Sequence, residues 1–293
     1  MDRRSLLTRL SALGLAACAR PEAAPASALP EAFNLSALEA REGGRLGFVA
    51  HDLGSGRKLV WRGEERFVYC STFKMFLAAA TLLRVQTGAE HLERMIPVAA
   101  ADMITHAPVT GPAVGGALSV EALMQAAVEV SDNPAANLLL TAMGGLEPLR
   151  AFYRRLGDTD TRVDRFEPEM NLLDGDKDTI RPLNGATNLH RLLIDPATPL
   201  SEPHKALLLR WMINTPTGPA RIRAGAPAGW TVAHKTGTGG YGPTNDIGVL
   251  YAPTGAPVIV AAYHHGAREV PADRNEAVIA EATRLALSEL GRT

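Results

Sequence analysis

Apolar residues recur at strand spacing near both ends of the chain and at helical spacing between them. "RLGFVAHDLGSGRKLVWRG" (45–63) holds two strand-like runs around a Gly-Ser-Gly turn, which predicts a hairpin. Before it, "LPEAFNLSALEAREGG" reads as an amphipathic helix stopped by Gly43 and Gly44. From about residue 71 to about residue 215 the segments are mostly helical: "STFKMFLAAATLLRVQ", "SVEALMQAAVEVS", "NPAANLLLTAMG", "LEPLRAFYRRLG", "NLHRLLID" and "EPHKALLLRWMIN". Strand signals return in "GWTVAHKTG", "TNDIGVLYAP" and "PVIVAAYHHG", and "ADRNEAVIAEATRLALSELG" closes the chain as a helix. This order predicts an α/β (α+β) fold in two parts. An antiparallel sheet flanked by helices is built from 29–68 and 216–293. An all-helical domain, 69–215, is inserted between them and includes a loop over 162–180. The cleft between the two parts is the natural ligand site.

The totals narrow the class. The 293 residues are 46% hydrophobic and 21% charged with a net charge of -1, ordinary for a globular protein. No block of like charge is present, so no nucleic-acid partner is expected. The first residues stand apart. "MDRRSLLTRLSALGLAACA" pairs Arg3 and Arg4 with a short, weakly apolar run ending in small residues, the layout of an export signal with a twin-arginine-like start. Arg9 interrupts it, and it is too short for a membrane span. "LAAC" makes Cys18 a candidate lipid anchor, and "ASA" at 26–28 is a rival cleavage site. Residues 1–28 are thus read as signal and tether, placing the mature chain in a bacterial periplasm or cell envelope. Cys18 and Cys70 are the only cysteines, and the histidines are scattered, so no disulfide framework, metal site or cofactor is expected.

Four short stretches carry candidate chemistry, and each has a plainer alternative. In "STFK", Ser71 and Lys74 share a helix face, so the amine can lie beside the hydroxyl. A serine hydroxyl needs such help to act as a nucleophile. Ser71 equally suits a helix cap, and "SGRK" at 55–58 matches the same spacing in the hairpin turn. "SDNPAAN" gathers Ser131, Asp132 and Asn133 before Pro134, which is also a good helix start. Glu167 in "RFEPEMN" precedes a proline and so sits on irregular backbone, where a carboxylate can activate water or merely face solvent. "HKTGTGG" sets Lys235 and Thr236 against a glycine-rich edge that admits a ligand, or leads simply into a turn.

Taken together and in order, "CSTFKMFLAAA", "SDNPAANLLL", "RFEPEMN" and "HKTGTGGYGPTNDIGVL" resemble the class A serine β-lactamases from about residue 30 onward. The resemblance implies that Ser71 opens the β-lactam amide and carries the acyl group as an ester. Lys74 manages its proton, with either Lys74 or Glu167 as the group that removes it; Ser131 passes one to the departing ring nitrogen, and Glu167 with Asn171 holds and activates the hydrolytic water. Lys235, Thr236 and Arg223 would bind the substrate carboxylate, and Asn133 the side-chain amide. The backbone N–H groups of Ser71 and Thr238, at the edge where Gly237 stands, would form the oxyanion hole. Arg165 and Asp178 would pair to pin the Glu167 loop. No cofactor is implied, and a monomer is expected with a small-molecule β-lactam substrate.

Some positions depart from the family pattern. The 165–178 segment looks slightly short. His234 replaces a common aspartate beside Lys235, lowering negative charge there. His106 stands at a common aromatic gate. Cys70 faces Gly239 where some carbapenem-hydrolysing relatives have a second cysteine. Two rival readings remain: a D-alanyl-D-alanine peptidase or penicillin-binding protein, disfavoured by "EPEMN", and a non-hydrolytic β-lactam-binding lipoprotein, disfavoured by the intact polar set.

Overall fold

A computed structural model describes residues 31–240, 242–266 and 272–293. The segment read as signal and tether, with Cys18, lies outside the described residues. In chain order the strands are β1 (Glu31–Ala32), β2 (Arg45–Asp52), β3 (Lys58–Trp61), β4 (Phe67–Val68), β5 (Met95–Pro97), β6 (Ala117–Ser119), β7 (Thr179–Ile180), β8 (Thr231–Thr238), β9 (Pro243–Tyr251) and β10 (Val258–His265). The helices are α1 (Ser36–Glu42), α2 (Phe73–Gln86), α3 (Val120–Glu129), α4 (Asn133–Ala142), α5 (Glu147–Arg155), α6 (Pro182–Leu193), α7 (Glu202–Asn214), α8 (Ile222–Gly225) and α9 (Ala272–Glu289).

Six strands form one sheet in the order β1-β3-β2-β10-β9-β8. All its pairings are antiparallel except the two-residue β1–β3 edge, which is parallel. Alternate residues of each strand serve different cores. Val49, Ala233, Ile247, Val249, Ile259, Ala261 and Tyr263 join the core of the helical layer. Phe48, Ala50, Val232, Leu250, Val258, Val260 and Ala262 pack with α1 and α9 on the other face. A sheet covered on both faces explains why "PVIVAAYHH" is apolar almost without a break.

The segment "FKMFLAAATLL" has no polar face because α2 is buried all round from Phe73 to Leu82, amid the other helices. The two-stranded ribbon β5–β6, and β7, which pairs with β4, lie inside the stretch read as helical. Runs of two or three residues give no periodicity to detect. The first helix is shorter than "LPEAFNLSALEAREGG" suggests, because Glu31–Ala32 pairs with β3 and regular helix begins only at Ser36.

Candidate active site

Ser71 lies in a 3-10 turn, Cys70–Thr72, that runs directly into α2. The cap position of α2 is Thr72, and no side chain caps it, so the Ser71 hydroxyl is not spent on capping. It donates instead to Glu167 Oε1 at 3.3 Å, across 96 residues of sequence. Lys74, one turn along α2, places its Nζ 3.1 Å from the same carboxylate oxygen. Both charged side chains are fully buried. Lys74 also donates to the Ser131 carbonyl at 2.8 Å and to Asn133 Oδ1. Burial pulls the Lys74 pKa below the ordinary lysine value, while the adjacent Glu167 resists that fall.

The "SDN" stretch divides its labour. Asp132 caps α4, accepting from Ala135 N at 2.9 Å and from Val109 N, Thr110 N and the Thr110 hydroxyl on the facing loop. That leaves Ser131 and Asn133 for the cleft. Ser131 adopts φ 61, a left-handed conformation that non-glycine residues rarely take. Its Oγ accepts from Lys235 Nζ at 3.1 Å. Asn133 Nδ2 donates to Thr105 O at 2.9 Å. His106, also at positive φ, bonds Val130 O through Nε2 at 2.8 Å and stands at the cleft rim.

The Glu167 loop is irregular, as the proline after Glu167 suggests, and polar side chains hold it. Arg165 Nε donates to Asp178 Oδ2 at 2.6 Å, and Asp178 Oδ1 accepts the N–H groups of Asp164 and Arg165. Asp178 is fully buried, so this pair is more than a surface contact. Asn137, on α4, grips the Glu167 main chain on both sides: its Oδ1 accepts Glu167 N at 3.0 Å and its Nδ2 donates to Glu167 O at 2.8 Å. Asn171 Nδ2 donates to Glu167 Oε2. Asn137 carries no signal in the sequence, where it reads as one more polar residue on a helix.

The opposite wall is β8. Lys235 is buried, and desolvation, with Lys74 nearby, pushes its pKa well below the usual lysine value. Gly237 is required for close approach: a Cβ there would lie 2.6 Å from the Tyr69 carbonyl oxygen, so glycine alone lets β8 press against the Ser71 turn. Thr236, Thr238 and Gly239 line a cleft of about 480 Å³ with Ser71, His106, Ser131, Asn133 and Asn171.

The arginine expected at this wall is corrected. Arg223 donates to Ile213 O at 3.2 Å, away from the cleft. Arg221, two residues earlier, lines it. Its guanidinium donates to Gly237 O at 3.1 Å, Asn245 O at 2.8 Å and Thr238 Oγ1 at 2.8 Å, with Glu276 Oε1 3.0 Å away. In "RIR" nothing local separates the two, and the partner Glu276 lies on α9. Strand alternation turns His234 to the face opposite Lys235, where its Nδ1 lies 2.9 Å from the buried Asp246 carboxylate. Cys70 is the free, buried cysteine among the described residues, and a Cβ on Gly239 would lie 3.3 Å from its sulfur. Among the described residues no group of three or more His, Cys, Asp or Glu side chains could share a metal ion.

This geometry has counterparts. A family model described as "Beta-lactamase enzyme family" matches residues 32–290. The carbapenem-hydrolyzing β-lactamase KPC of Klebsiella oxytoca is 43% identical over 257 residues, 87% of each chain. β-Lactamase Toho-1 of Escherichia coli is 36% identical over 285 residues, 97% of this chain and 96% of its own. Among solved structures, the class A β-lactamase of the last common ancestor of Gram-negative bacteria superposes with a TM-score of 0.84 at 46% identity, covering 87% of this chain and 97% of that one. The class A β-lactamase from Mycobacterium abscessus gives 0.84 at 40% identity, covering 88% and 98%. A serine, a lysine and a glutamate converging on one cleft, in a fold and sequence shared this extensively, make the chain a member of the β-lactamase enzyme family, a class A serine β-lactamase that hydrolyses β-lactam amides.

Proposed function

We propose that Ser71 Oγ attacks the β-lactam carbonyl, that the ring C–N bond breaks, and that Glu167 directs water onto the resulting ester. One contact set supports this most: Ser71 Oγ and Lys74 Nζ both meet Glu167 Oε1, at 3.3 and 3.1 Å. The serine proton has a direct acceptor in Glu167, and Lys74 holds that carboxylate in place. Ser131 delivers a proton to the departing nitrogen, since its hydroxyl lies between Lys235 and Lys74. The backbone N–H groups of Ser71 and Thr238 stabilise the oxyanion. One such donor is worth about 10²–10³ in turnover. Asn171, bonded to Glu167 Oε2, shares the hydrolytic water.

Lys235, Thr236 and Thr238 receive the substrate carboxylate, with Arg221 bracing Thr238 from behind. Asn133 takes the substrate's side-chain amide and His106 borders that end. A peptidase that stalls as an acyl-enzyme is disfavoured because a buried carboxylate already touches the nucleophile. The chain acts as an exported monomer in the periplasm or envelope, trimmed near residue 28 or lipidated at Cys18. Intact mass of the mature protein from wild type and Cys18→Ser distinguishes those two fates.

The activity test is hydrolysis of a chromogenic cephalosporin in the presence of a chelator. Wild type should turn over undiminished, and Ser71→Ala should lose on the order of 10⁵-fold or more. Turnover by Ser71→Ala at a tenth of the wild-type rate would end the covalent reading.

A further inference from the structure

Three threonine hydroxyls stand in a row that runs from the edge of the cleft at β8, where Thr236 and Thr217 line it, back to Thr215. Thr215 Oγ1 donates to the Glu129 carbonyl oxygen at 2.6 Å. The Thr215 and Thr217 hydroxyl oxygens are 2.8 Å apart, and those of Thr217 and Thr236 are also 2.8 Å apart. Thr217 is half-buried at the cleft edge, on the turn after α7. The next residue, Gly218, has φ +60, and a Cβ there would collide with the Thr236 methyl, so the turn is built to lie against Thr236.

Donor counting fixes the direction of this row. Each hydroxyl carries one proton, and a carbonyl oxygen only accepts. The Thr215 proton is therefore committed to Glu129. The Thr215–Thr217 bond must then be donated by Thr217, and the Thr217–Thr236 bond by Thr236. Without ligand, the Thr236 proton points along the row and away from the cleft. A carboxylate can only accept, so Thr236 can bind one only by turning its proton outward. Its oxygen then takes the Thr217 proton, while Thr215 Oγ1 keeps the Thr217 N–H at 3.3 Å.

We infer that Thr217 is a positioning residue for carboxylate-bearing substrates: its hydroxyl reverses from donor to Thr215 to donor to Thr236, and so aims the Thr236 O–H at the substrate carboxylate. The inference rests on the hydrolase reading above and adds to it a residue outside the motif set. The row also starts at Glu129, two residues before Ser131, and so ties the β8 wall to the helical wall across the cleft.

The test compares wild type, Thr217→Val and Thr217→Ser on a chromogenic cephalosporin and on its carboxylate methyl ester. For the free acid, Thr217→Val should lower kcat/KM about two- to tenfold, the worth of one neutral hydrogen bond, with kcat within about twofold. For the ester the same variant should match wild type, and Thr217→Ser should restore the acid value. Equal losses on acid and ester, or no loss on the acid, would overturn the role. If Thr217→Val does not fold, Thr217→Ala carries the same expectations. A wild-type enzyme inert toward the free acid would refute the hydrolase reading instead, before any variant is compared.

Discussion

The two walls of the cleft are held by different forces. β8 is an edge strand locked by a ladder to β9 along its whole length, from Thr231↔Tyr251 to Thr238↔Thr244. The Glu167 loop has no ladder beyond the two-residue β4–β7 ribbon at its end. Side chains fix it: Asp178 collects Arg165 and two backbone N–H groups, and Asn137 clamps Glu167. A ladder survives most side-chain changes, because backbone groups make the bonds. A loop held by a few buried polar side chains does not. The wall that binds substrate should therefore tolerate substitution, and the wall that positions the deacylating base should not.

That contrast can be broken in order of effect. Glu167→Ala should leave acylation measurable but slow deacylation by roughly 10²–10⁴-fold, so one covalent penicillin adduct accumulates by intact mass. Rapid turnover by this variant would place the base elsewhere. Asp178→Ala leaves Arg165 and two loop N–H groups without their partner. It should cost about 3 kcal/mol and roughly 6–12 °C in Tm by calorimetry, with slowed deacylation. A loss of under a degree would mean the loop is held by other contacts.

Arg221→Ala removes a brace but leaves the β8 ladder. Its expected effect is a roughly tenfold rise in KM with a smaller Tm change, the cost of losing a charge-assisted hydrogen bond. The smallest effect concerns Lys235, whose folded pKa lies below the ordinary 10.5. Between those two values the unfolded chain binds more protons than the native one, so stability rises with pH across that window. The penalty for burying the ammonium is full below the folded pKa and is relieved as pH climbs from there toward 10.5. Denaturant titrations of wild type and Lys235→Met should therefore converge in the wild type's favour with increasing pH. A difference independent of pH would show that Lys235 is not desolvated in the native state.

Local order was legible where neighbours along the chain cause it. The long helices α2, α3, α4, α7 and α9 and the strands β2, β3, β8, β9 and β10 announce themselves by length and spacing. The motif residues Ser71, Lys74, Ser131, Glu167 and Lys235 were found by their order, and the fold brings them within hydrogen-bonding reach of one another. Capping was also half legible: "SDN" signalled a helix start, but not that Asp132 alone serves it.

What remained hidden depends on partners far away in the chain. Arg221 rather than Arg223 reaches the cleft because Gly237, Thr238 and Asn245 on β8–β9, with Glu276 on α9, offer it acceptors. His234 turns away from Lys235 because the strand pleat leaves it no choice, and Asp246 on the next strand meets it there. Asn137, Thr215 and Thr217 matter only through groups that α4 and α7 happen to approach. Periodicity and turn chemistry are local properties of a chain, so they can be read residue by residue. Which buried polar group meets which is settled only when the sheet and the helices close on one another, because no short stretch carries the coordinates of its partner.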